Sequence, residues 1–193
     1  MIYVYGDSHS WGFKTVPQAA VNHTGSHTMY RIGRDGEQAF RTRHNQRDVV
    51  VWVYGEIDCR CHISRIAQNS RHDEWDIIRP LVECYCEKMQ TRMLRDGIIG
   101  VLACVMPPSD LGHTEYLPVY GPLQQRIDNT QKVNTYMQQQ CDQRGIKFLD
   151  YYQHFSTPEG SLDHNKSDGL LHIAEHQWPV VAAELEKLLN GGL

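Results

Sequence analysis

The sequence predicts an α/β protein, a three-layer α/β/α sandwich around a parallel central sheet. Three observations lead there. Apolar runs rich in β-formers recur at Ile2-Tyr3-Val4-Tyr5, at Val49-Val50-Val51-Trp52-Val53-Tyr54 and from Ile98 to Val105. Their near-continuous character, without polar alternation, fits strands covered on both faces, as in a parallel sheet. Segments of helical period separate the later runs, and strand–helix–strand order with right-handed crossovers gives a doubly wound sheet.

The elements follow in order. The first strand runs into Gly6. From Gly12 to Asp48 the chain holds Pro17, Gly25, Gly33 and Gly36 and keeps no period over its length, so it reads as a long irregular connection. After the second strand, Trp75, Ile78, Leu81, Val82, Tyr85, Met89 and Met93 recur at three- and four-residue steps, which predicts a helix with these side chains in the core. The third strand gives way to a second irregular connection, Pro107 to Pro122, containing Pro107-Pro108 and Gly112. Leu123, Ile127, Thr130, Met137 and Cys141 then mark another helix, and Ile146-Lys147-Phe148-Leu149 a short fourth strand between Gly145 and Asp150. A last helix carries Trp178, Val181, Leu185, Leu188 and Leu189 and stops at Gly191-Gly192. Irregular connections at the carboxyl ends of strands are where binding surfaces are usually built.

Composition narrows the function classes. With 193 residues, 40% of them hydrophobic, the chain has the size of one domain, residues 1–193, with a full core. A net charge of −4 provides no basic surface for nucleic acid. The local cluster Arg31, Arg34, Arg41, Arg43 and Arg47 is interleaved with Asp35, Glu37 and Asp48 and reads as a solvated loop. No apolar stretch approaches the about 20 residues that span a bilayer, and the N-terminus enters a strand without a charged leader, so the expected location is cytoplasmic, with no membrane partner. Six cysteines are too few for a disulfide scaffold at this length. The one-residue gaps of Cys59-x-Cys61 and Cys84-x-Cys86 are shorter than zinc pairs favour, so buried, reduced thiols are expected.

Chemistry concentrates at two places. Gly6-Asp7-Ser8-His9-Ser10 follows the first strand directly, and Asp168-Gly169-Leu170-Leu171-His172 precedes the last helix. Gly, Asp and Ser by themselves are ordinary turn formers. The distant Asp/His pair changes the reading, because a serine is a weak nucleophile until an imidazole takes its proton and a carboxylate holds that imidazole in the right tautomer. Ser8 also sits at the carboxyl end of a buried strand, where open α/β sheets keep their ligand crevices. His9, beside it, is expected to line the pocket.

In order and spacing, Gly6-Asp7-Ser8, a glycine loop around Gly33, Gly55-Glu56-Ile57-Asp58 and the segment Asp168 to His172 resemble the blocks of the SGNH (GDSL-type) hydrolase superfamily. The resemblance spans nearly the whole chain, although each block is short. It implies a flavodoxin-like sandwich and a Ser/His/Asp site acting on ester bonds without metal or organic cofactor. Carried over, it makes Ser8 the nucleophile, His172 the general base, Asp168 its orienter, and the amides of Ser8 and Gly33 the oxyanion hole. Gly33 is preferred to Gly25 and Gly36 because Thr28-Met29-Tyr30-Arg31-Ile32 can form the short β-like segment that precedes the family's glycine.

Two departures from that pattern matter. The family's third block reads Gly-x-Asn-Asp, but Ile57 stands where the Asn amide would face the oxyanion. Losing one such donor costs about 10²–10³ in rate. Arg60 or His62 could substitute, with Glu56 as a further substrate contact; alternatively Arg60 pairs with Glu56 or Asp58 and is structural. The family's last block is Asp-x-x-His, whereas three residues separate Asp168 from His172. A bulge or turn at Gly169, or a helical segment with both on one face, would absorb the extra residue; Asp163 is the next carboxylate in line. The expected activity is hydrolysis of a small acyl ester, of acetyl type and on a carbohydrate, through an acyl-serine. Acyl transfer at the same site and a non-catalytic ligand-binding domain are the rival readings.

Overall fold

Strands β1 (Ile2–Gly6), β2 (Ala19–His23), β3 (Val49–Val53), β4 (Ile99–Ala103) and β5 (Lys147–Leu149) of the computed structural model pair in a parallel sheet in the order β2-β1-β3-β4-β5. Residues 1–36, 44–111 and 118–191 are described. Glu37, Arg41, Arg43, Gly112 and Gly192 lie outside them. Side chains alternate between two cores. Tyr5, Val50, Trp52 and Leu102 point to one face and Val4, Val51, Val53, Val101 and Ala103 to the other, and all of them are buried. That two-sided burial is why the sequence shows unbroken apolar runs.

Helices α1 (Met29–Asp35), α2 (Ile63–Ser70), α3 (Glu74–Asp96) and α4 (Leu123–Arg144) cover the first face through Met29, Ile32, Ile63, Ile78, Tyr85, Met89, Val133 and Met137. The opposite face is covered by the 3-10 turn Ser8–Phe13, the short α5 (Tyr152–Phe155) and α6 (Trp178–Asn190), through Phe13, Phe155, Val181 and Leu185. The architecture is thus the α/β/α sandwich expected. Among the described residues no helix is long and apolar enough to cross a membrane.

Periodicity locates α3, α4 and α6 but misses β2, α1 and α2. β2 is an edge strand, half-buried along Ala19-Ala20-Val21-Asn22 and exposed at His23, so it has no apolar run to announce it. Thr28 to Ile32, expected to be β-like, instead starts α1. The β-formers Thr28, Tyr30 and Ile32 are overruled by capping: the Thr28 hydroxyl accepts the Arg31 amide, and the buried Asp58 carboxylate accepts the Met29 amide at 2.7 Å. Met29 and Ile32, three apart, then share one buried face. The cysteines are free, as expected, but Cys84 is exposed rather than buried, because the neighbouring Cys86 takes the core side of α3.

β1 lies between β2 and β3, and the chain leaves it for both sides, so its carboxyl end is the sheet's switch point. The strand ends in a close contact. A Cβ at Gly6 would fall 2.6 Å from the Val53 carbonyl oxygen and 2.8 Å from Ser10 Cβ. Only glycine lets β1 stay paired with β3 while the chain turns back into the Ser8–Phe13 helix. Gly6→Ala is therefore expected to destabilise the protein by about 3 kcal/mol, at the upper end for overpacking because backbone is on one side of the clash. Urea denaturation of the two proteins measures it.

Candidate active site

Asp7 shapes the turn that presents Ser8. Its Oδ1 accepts the His9 amide at 2.9 Å, and its carbonyl accepts both the Ser10 amide at 3.0 Å and the Ser10 hydroxyl at 2.7 Å. Ser8 is left facing the cleft at the end of β1. There its Oγ meets His172 Nε2 at 2.8 Å, and His172 Nδ1 meets Asp168 Oδ2 at 2.9 Å. The three residues named from sequence thus form one hydrogen-bonded chain across 164 positions.

The extra residue between Asp168 and His172 is taken up by a closed loop, not by a helix. The Asp168 amide donates to the His172 carbonyl at 2.9 Å, Asp168 Oδ1 accepts the Leu170 and His172 amides, and Gly169 takes a positive φ of 85°. An antiparallel bridge between Ser167 and Ile173 closes the base of the loop. The segment after β4 supports it from outside: Ser109 Oγ donates to the Leu170 carbonyl at 2.6 Å, and the buried Arg126 of α4 donates to the Ser109 carbonyl at 2.7 Å. Asp163, the reserve carboxylate, is elsewhere, accepting the Asn165 amide and pairing with Lys166.

Electrostatics fit a neutral imidazole and an ionised carboxylate. Burial, and next the nearby His9, lower the His172 pKa below the ordinary histidine value, against the pull of Asp168 and Glu56. Burial opposes ionisation of Asp168 too, but its hydrogen bonds from His172 Nδ1 and the Leu170 and His172 amides outweigh it and hold its pKa below the usual carboxylate range. With Nδ1–H directed at Asp168, Nε2 has a lone pair for the Ser8 hydroxyl.

The cleft at Ser8 has a volume of about 240 Å³ and mixes polar residues, His23, Glu56, Arg60 and His62 among them, with the apolar Ile57, Pro118 and Leu171. Gly25, in the turn after β2, borders it. Gly33 does not. It lies inside α1, where a Cβ would meet the α3 backbone at 3.2 Å (Tyr85 N) and 3.3 Å (Cys84 C), so it is the glycine that lets two helices touch and not an oxyanion donor. Strand propensity pointed to a glycine away from the cleft, whereas the turn after the edge strand β2 brings Gly25 to it.

The other candidates are all at the cleft, in tied-down forms. Arg60 is buried in the π-helical turn Asp58–His62; its Nε donates to Glu56 Oε1 at 2.6 Å and its Nη1 to the Pro118 carbonyl at 2.6 Å, so the Glu56 pairing is what the structure contains. His62 Nδ1 lies 2.8 Å from Arg65 Nη2, and burial followed by the charges of Arg65 and Arg60 lowers its pKa. Asp58 faces away, its carboxyl pushed up to about 7 by burial. Sequence reasoning missed Trp11. Its exposed ring stands 6.0 Å from that of His172 and 5.4 Å from that of His23, at the rim of the site. An aromatic three positions after the serine in a 3-10 turn was the available signal, since such a turn brings residues three apart onto one side.

The sheet and its flanking helices have solved counterparts. The structure superposes on a GDSL-like lipase from Bacteroides thetaiotaomicron over 100% of this chain and 88% of that one, with a TM-score of 0.68 at 14% identity. The chain has the fold of the SGNH (GDSL-type) hydrolases. A lipolytic G-D-S-L protein from Veillonella parvula (TM-score 0.58, 10% identity, 98% of this chain and 97% of that one) and an aryl esterase from M. smegmatis (0.58, 12%, 100% and 99%) share it. No protein-family model matches the chain, and no curated protein matches it by sequence. At such identities the likeness concerns the fold.

The Arg60–Glu56 pair gives the site a stability test. Arg60→Met leaves Glu56 charged without its partner on the cleft wall and is expected to cost about 3 kcal/mol, the lower end for breaking a buried pair. Adding Glu56→Gln should recover part of that loss. Urea denaturation of the single and double variants gives both numbers.

Proposed function

We propose that the protein is a serine esterase, and the observation that carries this is the continuous chain Ser8 Oγ–His172 Nε2, His172 Nδ1–Asp168 Oδ2, at 2.8 and 2.9 Å. As Ser8 Oγ attacks the ester carbonyl, its proton passes to His172 Nε2, and Asp168 holds the imidazolium so formed. The tetrahedral oxyanion is met by the amides of Ser8 and Gly25. Collapse returns the proton from Nε2 to the departing alcohol and leaves an acyl-serine. Water, deprotonated by the same Nε2, then attacks the acyl carbon, and the acid leaves as Ser8 recovers its proton. The hydrolases that share the fold, a GDSL-like lipase and an aryl esterase among them, support ester bonds as the target class.

A small acyl group on a carbohydrate is the substrate we favour. The cleft at Ser8 is small and carries several hydrogen-bonding side chains, and the partly exposed Trp11, with Lys14 Nζ 5.1 Å from its ring centroid, stands at its rim as an aromatic contact for a sugar. One observation favours an ester with a long apolar arm instead. A cavity of about 720 Å³, lined by Ile63, Ile66, Ile77, Pro80 and Leu81, adjoins the cleft, and His62 and Arg65 line both.

Hydrolysis of p-nitrophenyl acetate is expected in the parent. Ser8→Ala and His172→Ala should each lower kcat by at least about 10³-fold, and Asp168→Asn by about 10²–10⁴-fold. Binding without turnover, and no labelling of Ser8 by a fluorophosphonate, would point to a non-catalytic domain; an alcohol acceptor that outcompetes water would point to an acyltransferase. Acetate, butyrate and octanoate esters compared in one series separate the two substrate readings. For a small-acyl enzyme kcat/KM falls along the series, whereas a chain seated in the larger cavity makes it rise.

A further inference from the structure

Behind the Ser8–His172 pair lies a second histidine and carboxylate that the mechanism above does not use. His9 is buried, with its side chain only 4% exposed, and both of its ring nitrogens are engaged: Nδ1 with Asp7 Oδ1 at 3.1 Å, Nε2 with the Leu171 carbonyl at 3.1 Å. A peptide carbonyl only accepts, so Nε2 carries a hydrogen. Asp7 Oδ1 already accepts the His9 amide, so it too acts as an acceptor, and Nδ1 carries a hydrogen as well. A neutral imidazole has one N–H; this ring needs two.

We propose that His9 is a positioning residue of the site, an imidazolium clamped between Asp7 and the Leu171 carbonyl that fixes the backbone entering His172 and keeps the His172 ring neutral and ready to accept a proton. The proposal rests on the reading of His172 as the general base. Its geometry is direct. Leu171 immediately precedes His172, so the Nε2 bond pins the catalytic loop to the turn that carries Ser8, and the two imidazole rings lie 5.0 Å apart, centroid to centroid. A second positive ring at that distance is disfavoured by Coulomb repulsion. Burial by itself would neutralise His9, but the charge and hydrogen bond of Asp7, assisted by Glu56 and the Leu171 carbonyl, prevail and raise its pKa to about 9.

The other charges around His172 are accounted for. Asp168 and Glu56 favour its imidazolium and oppose His9. Further ionisable groups line the two hollows that His172 borders, His23 from β2 with Arg60, His62 and Arg65 from the turn and helix after β3 in one, and Glu175 before α6 in the other. All of them remain when His9 alone is changed.

The test uses the full chain with ¹⁵N-labelled histidine, reading ring protonation by NMR across the pH range of activity, together with the pH profile of kcat/KM for p-nitrophenyl acetate. In the parent, both ring nitrogens of His9 should be protonated at neutral pH. His9→Gln keeps a side-chain N–H donor for the Leu171 carbonyl and removes the charge. In it, the His172 titration and the acid limb of kcat/KM should move up together by about 0.6–2.4 pH units, the range for one charge at 5.0 Å between effective dielectrics of about 80 and 20. Asp7→Asn, which takes away the countercharge, should turn His9 neutral and move His172 in the same direction. A neutral His9 in the parent overturns the proposal, whether or not the variants fold. So does a His9→Gln protein whose kcat drops while the His172 titration stays in place, since that is loss of support without loss of charge. Movement of the His172 titration in a parent that turns over no ester would uphold the charge relation and sink the esterase reading instead.

Discussion

β1 is held from both sides, hydrogen-bonded in register to β2 on one flank and β3 on the other. The rest of the molecule depends on that pairing. It fixes where the strand ends and therefore where Ser8 stands, and it forces the sequence to supply Gly6 at the one position where the returning chain runs against Val53. It also brings the ends of β2 and β3 to the same edge, so that Gly25 from one and Glu56 and Arg60 from the other face the serine without any long-range design beyond the sheet order itself.

The second requirement is that residues 168–172, far away in sequence, arrive at the same place. Three ties do this. His9 holds the Leu171 carbonyl, Ser109 holds the Leu170 carbonyl, and Ser8 meets His172 itself. Two come from the turn after β1 and one from the segment after β4, so the sheet's geometry is passed to the loop through hydrogen bonds, two of them to backbone carbonyls, and not through packing alone. The bond to the Leu171 carbonyl suits this purpose best, because that carbonyl is buried and leaving such a group without a partner costs about 1–3 kcal/mol.

What could be read from the sequence, and what could not, divides along physical lines. Strands β1, β3, β4 and β5 and the long helices were legible because burial on two faces or on one stripe leaves apolar runs or a period in the residues themselves, whereas the half-exposed edge strand β2 has neither. Ser8, Asp168 and His172 were legible because their chemistry is specific and each sits in a short stretch with its own turn formers. Gly33 was misread because Thr28, Tyr30 and Ile32 favour strands as isolated residues, whereas a hydroxyl cap and the distant Asp58 carboxylate decided for helix. The partner of Arg60 was foreseen as one of two carboxylates, and the choice of Glu56 follows from the four-residue spacing on a helical turn. Nothing local in the sequence tells that the His9 ring would be met by the Leu171 carbonyl.

The loop from Asp168 to His172 closes on itself: its first amide bonds its last carbonyl, and its aspartate accepts two of its own amides as well as its own imidazole. Imidazole and carboxylate are therefore held as one piece. The bonds within the loop set the tautomer of His172 and its angle to Asp168, and the position of the loop sets the gap between Nε2 and Ser8 Oγ. Where that piece sits is set by the hydrogen bonds on the Leu170 and Leu171 carbonyls, so the Ser8–His172 contact is fixed by atoms that belong to neither residue.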